Sequence, residues 1–289
     1  MYNIKSVKKL KLFHPKVNKF YGFPKVNVIS IEESEERRSI LKTKFEKYGI
    51  DYKFHIFPRY YNGLYNFTND DYTEEDLNLW SNGPTTSHLL AIREWLNTTN
   101  EPYGFFAEDD VDFSTSEYWN FEWKDFFKKF PSDWSLVQLS LVREHPHGIF
   151  YFYPDKKLKL RHRCWCDWNL AAYMITRRHA EEVIYHYMDG DNFRLKYCGR
   201  DRHDRKDDPQ RWWAVNAIAE NLIFSLFGEN YVAPVFLESM QYSTSFFDTT
   251  TDDLKRKHSD NRTQSREDVL EWWKENGPTL DLDEFFSLS

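Results

Sequence analysis

The sequence predicts an α/β protein, on three observations. Short β-branched and aromatic runs recur along the chain, as at residues 26–31 and 103–107. Helical patterns stand between them, as at 32–48 and 84–97, and strands alternating with helices build layered α/β folds. Aromatic residues make up 18% of the 289 positions, although mean hydropathy is −0.76. A charged chain poor in rings reads as disordered, so this composition reads as folded.

Residues 26–31 form a buried strand through Val26, Val28, Ile29 and Ile31. The helix that follows has Ser34 as N-cap and Glu35 and Glu36 in its first turn. Lys42, Lys44 and Lys47 lie toward its end, and Gly49 stops it. Its apolar stripe is Ile40, Leu41, Phe45 and Tyr48. Tyr52, Phe54 and Ile56 then alternate with polar residues as in a second strand, which predicts a right-handed parallel βαβ unit. Residues 58–82 are rich in Asn, Asp and Tyr and read as a surface loop or small subdomain. A helix over 84–97 carries Leu89, Leu90, Ile92, Trp95 and Leu96. The strand at 103–107 runs directly into five residues of which four are acids. Further on, the pattern predicts helices at 121–130, 178–187, 214–227 and 266–275. It predicts strands at 134–141, 149–153, 170–176 and 231–237. The densely charged stretch 189–211 reads as a mobile loop, and 243–264 as Ser/Thr/Asp-rich.

The net charge of −7 makes the chain a poor polyanion binder, so no nucleic-acid partner is expected. Cys164, Cys166 and Cys198 make no disulfide framework and fit a reducing compartment. With His162 and His203 they offer only an irregular Cys-x-Cys spacing, which favours buried thiols over a zinc site. The first ten residues lack an apolar signal-peptide core, and no run of about 18 apolar residues occurs. The expectation is a soluble, cytoplasmic protein with no membrane span.

The strongest chemical signal is Glu108-Asp109-Asp110-Val111-Asp112. Open α/β sheets bind ligands beyond the carboxyl ends of their strands, and this cluster follows such an end. Packed carboxylates repel one another unless a cation sits among them. Hard oxygen ligands suit Mg²⁺ or Mn²⁺, which in turn grip phosphates. The plain alternative is a solvated acidic turn, and the apolar strand immediately upstream weighs against it.

Around this cluster the sequence resembles glycosyltransferase family 25, the lipopolysaccharide-biosynthesis and collagen galactosyltransferase-like enzymes. Gly83-Pro-Thr-Thr-Ser-His88 matches a Gly-x-x-x-Ser-His segment, with Pro84 where a Cys is common. Glu101-Pro-Tyr103 and Phe106-Ala-Glu-Asp-Asp-Val111 match the strand that ends in Glu-Asp-Asp. Val28-Ile-Ser-Ile31 with Arg37 and Arg38 is similar to the family's opening strand and helix. Ala172-Tyr-Met-Ile-Thr-Arg177 and Pro234-Val-Phe236, with Gln241 and Ser245, are similar to its later segments. The resemblance spans about residues 25–247. It implies a GT-A fold: a Rossmann-like nucleotide-sugar domain with a mixed, mostly parallel sheet, and acceptor-side insertions at 58–82, 143–168 and 189–211. Residues 1–24 and 248–289 become extensions, the second with one helix.

The resemblance further implies a divalent metal (Mn²⁺ or Mg²⁺), a UDP-sugar donor and transfer with inversion. It makes Asp110 the direct metal ligand. Glu108 faces the ribose or a metal-bound water, and Asp109 lies between them in role. Because Asp110-Val-Asp112 is itself an Asp-x-Asp, Asp112 remains a second metal candidate. Val28, Ile29 and Ser30 stand where the nucleotide base is expected. Arg37 or Arg38 can pair a phosphate, or can be helix-surface charges matched by Glu33 or Glu36. Ser87 and His88, near a helix start, suit a phosphate or a structural role. The candidate base is Glu220, where the family more often has Asp, with Asp167 and Asp191 as alternatives. Tyr60, Tyr61, Tyr65, Trp165, Trp168, Trp212 and Trp213 either line an acceptor groove or anchor loops. The expected function is transfer of a hexose, galactose or glucose, to a hydroxyl of a glycan or glycosylated acceptor. The alternative is a non-catalytic glycan- or nucleotide-sugar-binding protein of the same fold.

Overall fold

The computed structural model describes residues 18–59, 67–68, 79–142, 149–153, 155–164, 167–194, 219–224, 228–239 and 252–288. The chain opens with β1 (Val26–Ile31), α1 (Glu35–Tyr48) and β2 (Tyr52–Phe57). Gly49 ends α1 at φ 65°, a left-handed conformation that strains any side chain. The chain turns back there, and β2 lies parallel to β1 with Tyr52 opposite Val26. Ser34 precedes α1, but its side chain caps nothing.

After β3 (Phe67–Thr68), α2 spans Leu79–Thr98. It begins five residues before the expected start, so Pro84 lies inside it. Proline lacks the N–H that would bond back to the preceding turn, which is why the sequence pattern places the start there. β4 (Tyr103–Glu108) pairs parallel to β1 on the edge opposite β2. The remaining strands are β5 (Val111–Asp112), β6 (Trp134–Ser140), β7 (Arg161–His162), β8 (Ala172–Thr176), β9 (Met188–Asp189), β10 (Asn192–Arg194) and β11 (Glu229–Glu238). The remaining helices are α3 (Trp123–Phe127), α4 (Arg177–Tyr187), α5 (Ala219–Phe224), α6 (Asp252–Asn276) and α7 (Leu282–Phe285).

The main sheet has the order β2-β1-β4-β8-β6-β11-β5, with β7 on β11. β2, β1, β4, β6 and β11 run in one direction, and β8 is inserted antiparallel between β4 and β6. The fold is therefore mixed α/β with a mostly parallel central sheet, compatible with a Rossmann-like arrangement.

Alternation along the strands divides the core between two faces. Phe105 and Ala107 of β4 and Met174 of β8 join one buried cluster, while Phe106, Tyr173 and Ile175 join the other. The first face is covered by Leu41 and Phe45 of α1, Trp123 and Phe126 of α3, and Val269, Trp272 and Trp273 of α6. The second is covered by Leu89, Ile92 and Trp95 of α2, Val183 of α4 and Leu222 of α5. The aromatic surplus concentrates on the first face. There Trp119, Phe121, Trp273, Phe126 and Phe285 pack with ring centroids 5.1–6.2 Å apart. Many of the rings are thus core, joined across the sequence from Phe20 to Phe285.

Further expectations differ from the structure: the stretch 189–211, expected as a loop, opens in β9 and β10, and the C-terminal extension, expected with one helix, holds α6 and α7. Residues 149–152 form a 3-10 turn, not an edge strand. Helix occupies only Trp123–Phe127 of the expected 121–130. The helix expected at 266–275 is 25 residues long and takes in much of the polar 243–264 stretch. Among the described residues, the helix meets the core at Val269, Trp272 and Trp273. Among the described residues no helix is long and apolar enough to cross a membrane.

Candidate functional site

β1 connects to β2 on one side, and the chain returns through α2 to β4 on the other side of β1. The β1/β4 boundary is the point where strand order reverses, and such a switch point leaves a crevice beyond the carboxyl ends. A cavity lies there, walled by Ser30 of β1, Gly83 and His88 of α2, Glu108 at the end of β4, and Asp109 and Asp110 after it. Glu220 of α5, Glu238 of β11 and Arg262 of α6 close it. Gly83 sits so close to the chain that an added Cβ would lie 2.6 Å from the Arg59 carbonyl oxygen. Only glycine lets α2 and the Arg59 backbone meet at this wall.

The three consecutive acids have three different environments. Asp109 accepts from the Ser30 hydroxyl at 2.6 Å and from Arg37 Nη1 at 3.0 Å. Glu108 accepts from His88 Nε2 at 3.3 Å, and His88 Nδ1 lies 3.0 Å from the Tyr173 hydroxyl. A neutral imidazole protonated on Nε2 satisfies both bonds, with Tyr173 donating to Nδ1. Burial lowers the His88 pKa to about 4, against the pull of Glu220, so the ring is neutral at physiological pH. Asp110 lies 3.9 Å from Arg37, and its Oδ1 is buried with no partner.

Burial raises the Glu108 pKa to about 8, helped by Glu238, Glu220 and Asp109 and opposed by Arg262. Burial also pushes Asp110 well above the usual carboxylate range, with Glu238, Glu108 and Asp109 adding to it. Glu220 is raised by burial as well, and His88, Arg163 and Arg262 act against the rise. Burial works against the Arg262 charge, but Glu238, Asp110, Glu108 and Glu220 more than reverse this and leave its pKa raised.

These shifts predict a pH dependence of stability. A carboxyl with a raised folded-state pKa binds more protons folded than unfolded, so stability falls as pH rises toward about 8. His88 acts oppositely, but only between about 4 and its ordinary value near 6.5. From pH ~6.5 to ~8 the carboxyls act without that opposition. The melting temperature of metal-free protein is expected to fall across that window, and Glu108→Gln should flatten the fall. Thermal scans in EDTA check it, and a slope unchanged in the variant counts against this reading of Glu108.

The structure gathers Ser30, Arg37, Ser87, His88, Glu108, Asp109, Asp110 and Glu220 around one cavity. The other expected residues lie elsewhere. Val28 is buried in the first core cluster, and its strand pairs with β2 on one side and β4 on the other. Arg38 donates to Ser30 Oγ at 3.0 Å, to the Ile31 carbonyl and to the Glu32 carbonyl at 2.9 Å, bracing the end of β1. Asp112 accepts from Arg266 at 2.8 Å and lies 3.7 Å from Lys44, outside the cavity lining. Asp167 is buried in a bidentate pair with Arg161 at 2.6 and 2.8 Å. Asp191 is a surface residue paired with Arg93 at 2.9 Å. Neither Asp167 nor Asp191 lines the cavity. Trp168 is half-buried, whereas Tyr60, Tyr61, Tyr65, Trp165, Cys166, Cys198, His203, Trp212 and Trp213 lie outside the described residues.

Sequence reasoning missed Glu238, Asn169 and Arg262. Glu238 ends β11 as Glu108 ends β4, so the same strand-end rule would have found it. Its carboxylate accepts from Asn169 Nδ2 at 2.6 Å and from Arg262 Nη1 at 2.9 Å. Asn169 holds φ 112°, fixed by bonds from Ser140 Oγ and the Ala171 N–H to its Oδ1, both 2.6 Å. A strained residue so constrained at a cavity wall is a recurring feature of functional sites.

No protein-family model matches the chain, and no curated protein matches it. Among solved structures, A197 from STIV aligns with a TM-score of 0.37 at 10% identity, over 74% of this chain and 84% of its own. HddC from Yersinia pseudotuberculosis aligns with a TM-score of 0.29 at 11% identity, over 74% and 72%. Both likenesses are too distant to carry a function across. What the fold and cavity define is a mixed α/β protein with an acidic crevice at its switch point.

Proposed function

We propose that the protein is a metal-dependent glycosyltransferase of the GT-A type. It transfers a hexose, galactose or glucose, from a UDP-sugar to a hydroxyl of a glycan or glycosylated acceptor, with inversion. The observation that carries this reading is Asp110: a carboxylate at the switch-point crevice with one buried oxygen lacking any partner. The sequence resemblance to glycosyltransferase family 25 gives the donor class and the stereochemistry.

A divalent cation fits the acids around Asp110: Asp110 Oδ1 is buried with no hydrogen-bond partner, and Glu238 and Asp109 add their charge to the burial that raises both Asp110 and Glu108. Among the described residues no three His, Cys, Asp or Glu side chains converge to hold a metal on their own. Asp110, with Glu108 near it, would therefore supply one or two ligands and leave the rest to diphosphate and water, as Mg²⁺ sites commonly do. When bound, the cation neutralises charge that grows on the departing diphosphate.

The chain's own groups divide the remaining work. Ser30 and the end of β1 face the nucleotide. Arg37 holds Asp109 and, through it, the loop that presents Asp110. Glu220 faces the same cavity and serves as the base that takes the acceptor hydroxyl proton.

The test is UDP release with Mn²⁺ across a panel of UDP-sugars. Release from one hexose donor, stimulated by an added glycan acceptor and lost in Glu220→Gln, supports the transferase. Tight binding without release would make the protein a nucleotide-sugar-binding module. No binding to any UDP-sugar overturns the reading.

A further inference from the structure

The C-terminal helix α6 carries no part of the family resemblance, yet it reaches the site. Val269, Trp272 and Trp273 fix its later half in the core, and Trp273 Nε1 donates to the Pro234 carbonyl at 2.8 Å. One turn earlier, Arg266 bonds Asp112 at 2.8 Å. One further turn back, Arg262 lines the crevice and bonds Glu238 at 2.9 Å. Residues four apart share a helix face, so a rod pinned at 266–273 delivers the 262 side chain to a fixed place.

The charges at the crevice show what Arg262 does there. Five carboxylates line it: Glu108, Asp109, Asp110, Glu220 and Glu238. Arg37 pairs with Asp109, and Glu238 is bonded by Arg262. Arg262 is 28% exposed and lines the crevice with these acids.

We propose that Arg262 is a diphosphate-binding residue supplied by the C-terminal helix, held by Glu238 until the donor arrives. A guanidinium is a rigid fork that matches a phosphate as well as a carboxylate, so it can exchange Glu238 for phosphate oxygens. Without a ligand it balances the acids. With a diphosphate in the crevice, Arg262 turns from Glu238 to the diphosphate oxygens, and a cation held by Asp110 would balance the remaining acids. Nothing covalent changes; the step is an exchange of ion partners. The inference rests on the proposed nucleotide-sugar reading and extends it to a helix outside the resemblance.

The experiment is calorimetric titration of UDP and of uridine, each with Mn²⁺, into wild type, Arg262→Gln, and the double variant Arg262→Gln with Glu238→Gln. Arg262→Gln is expected to weaken UDP binding about tenfold or more while uridine binding is unchanged. The double variant removes the carboxylate that Arg262→Gln strands, so it restores the charge balance without restoring the fork. It should regain thermal stability and still bind UDP weakly. Recovery of UDP affinity in the double variant would show that Arg262 only neutralises Glu238, and would overturn the proposal. Equal UDP affinity in wild type and Arg262→Gln would overturn it too, leaving the nucleotide reading intact. Failure of wild type to bind UDP would overturn both.

Discussion

Asp110→Asn is expected to change activity and stability in opposite directions. UDP release should fall by about 10²–10³-fold, the range seen when a group stabilising transition-state charge is lost. Metal-free protein should become more stable, by about 1–3 kcal/mol, the usual cost of a buried unsatisfied polar group. The cause is local. Asp110 Oδ1 is buried without a partner, and Glu238 and Glu108 press further negative charge on the carboxyl. An amide of nearly the same shape keeps the packing and removes the charge. Urea denaturation in EDTA measures the stability change, and the donor assay measures the activity. A variant that is less stable without metal, or that keeps full release, contradicts this account of Asp110. Stability surrendered at one residue for function is a common trade.

Trp273→Ala should cost about 3–5 kcal/mol, the range for removing a large aromatic from a packed core. Trp273 is fully buried, touches the Trp119, Phe121 and Phe285 rings, and donates to the Pro234 carbonyl on β11. Its loss leaves a cavity and an acceptor without its donor at the point where α6 meets the sheet. Tyr185→Ala is the control: the ring is 78% exposed, so the change should stay within about 0.5 kcal/mol. Urea midpoints of the two variants decide it. A loss under about 1 kcal/mol for Trp273→Ala would mean that α6 is not fixed by this contact. Because α6 also carries Arg262, nucleotide affinity in Trp273→Ala should fall with stability.

The fold was legible where one strand or helix carries its own pattern. The alternation in 52–57, the β-branched run in 26–31 and Gly49 at the helix end place the first βαβ unit within a residue or two. β8 was equally visible as a strand, but its antiparallel placement between β4 and β6 depends on partners far along the chain. The acids of the site were legible because they follow a buried strand. Their separate duties were not, since Asp109 and Asp112 are tied by Arg37 and Arg266, from opposite ends of the chain. Arg262 gave no signal, because the sequence at the start of its helix is polar and carries no apolar stripe. The ring content, ambiguous as composition, resolves in part: Trp119, Trp123, Phe126, Trp272 and Trp273 are one continuous packing layer.

In the proposed function, the β1/β4 crevice binds a divalent cation and a nucleoside diphosphate together. Crystals grown with UDP and Mn²⁺ test it through the anomalous signal of manganese. The expected result is an anomalous peak at ligand distance from Asp110, with the diphosphate between that peak and Arg262 and the base against the end of β1. A nucleotide bound in the crevice with no manganese beside Asp110, or manganese bound elsewhere, would contradict it.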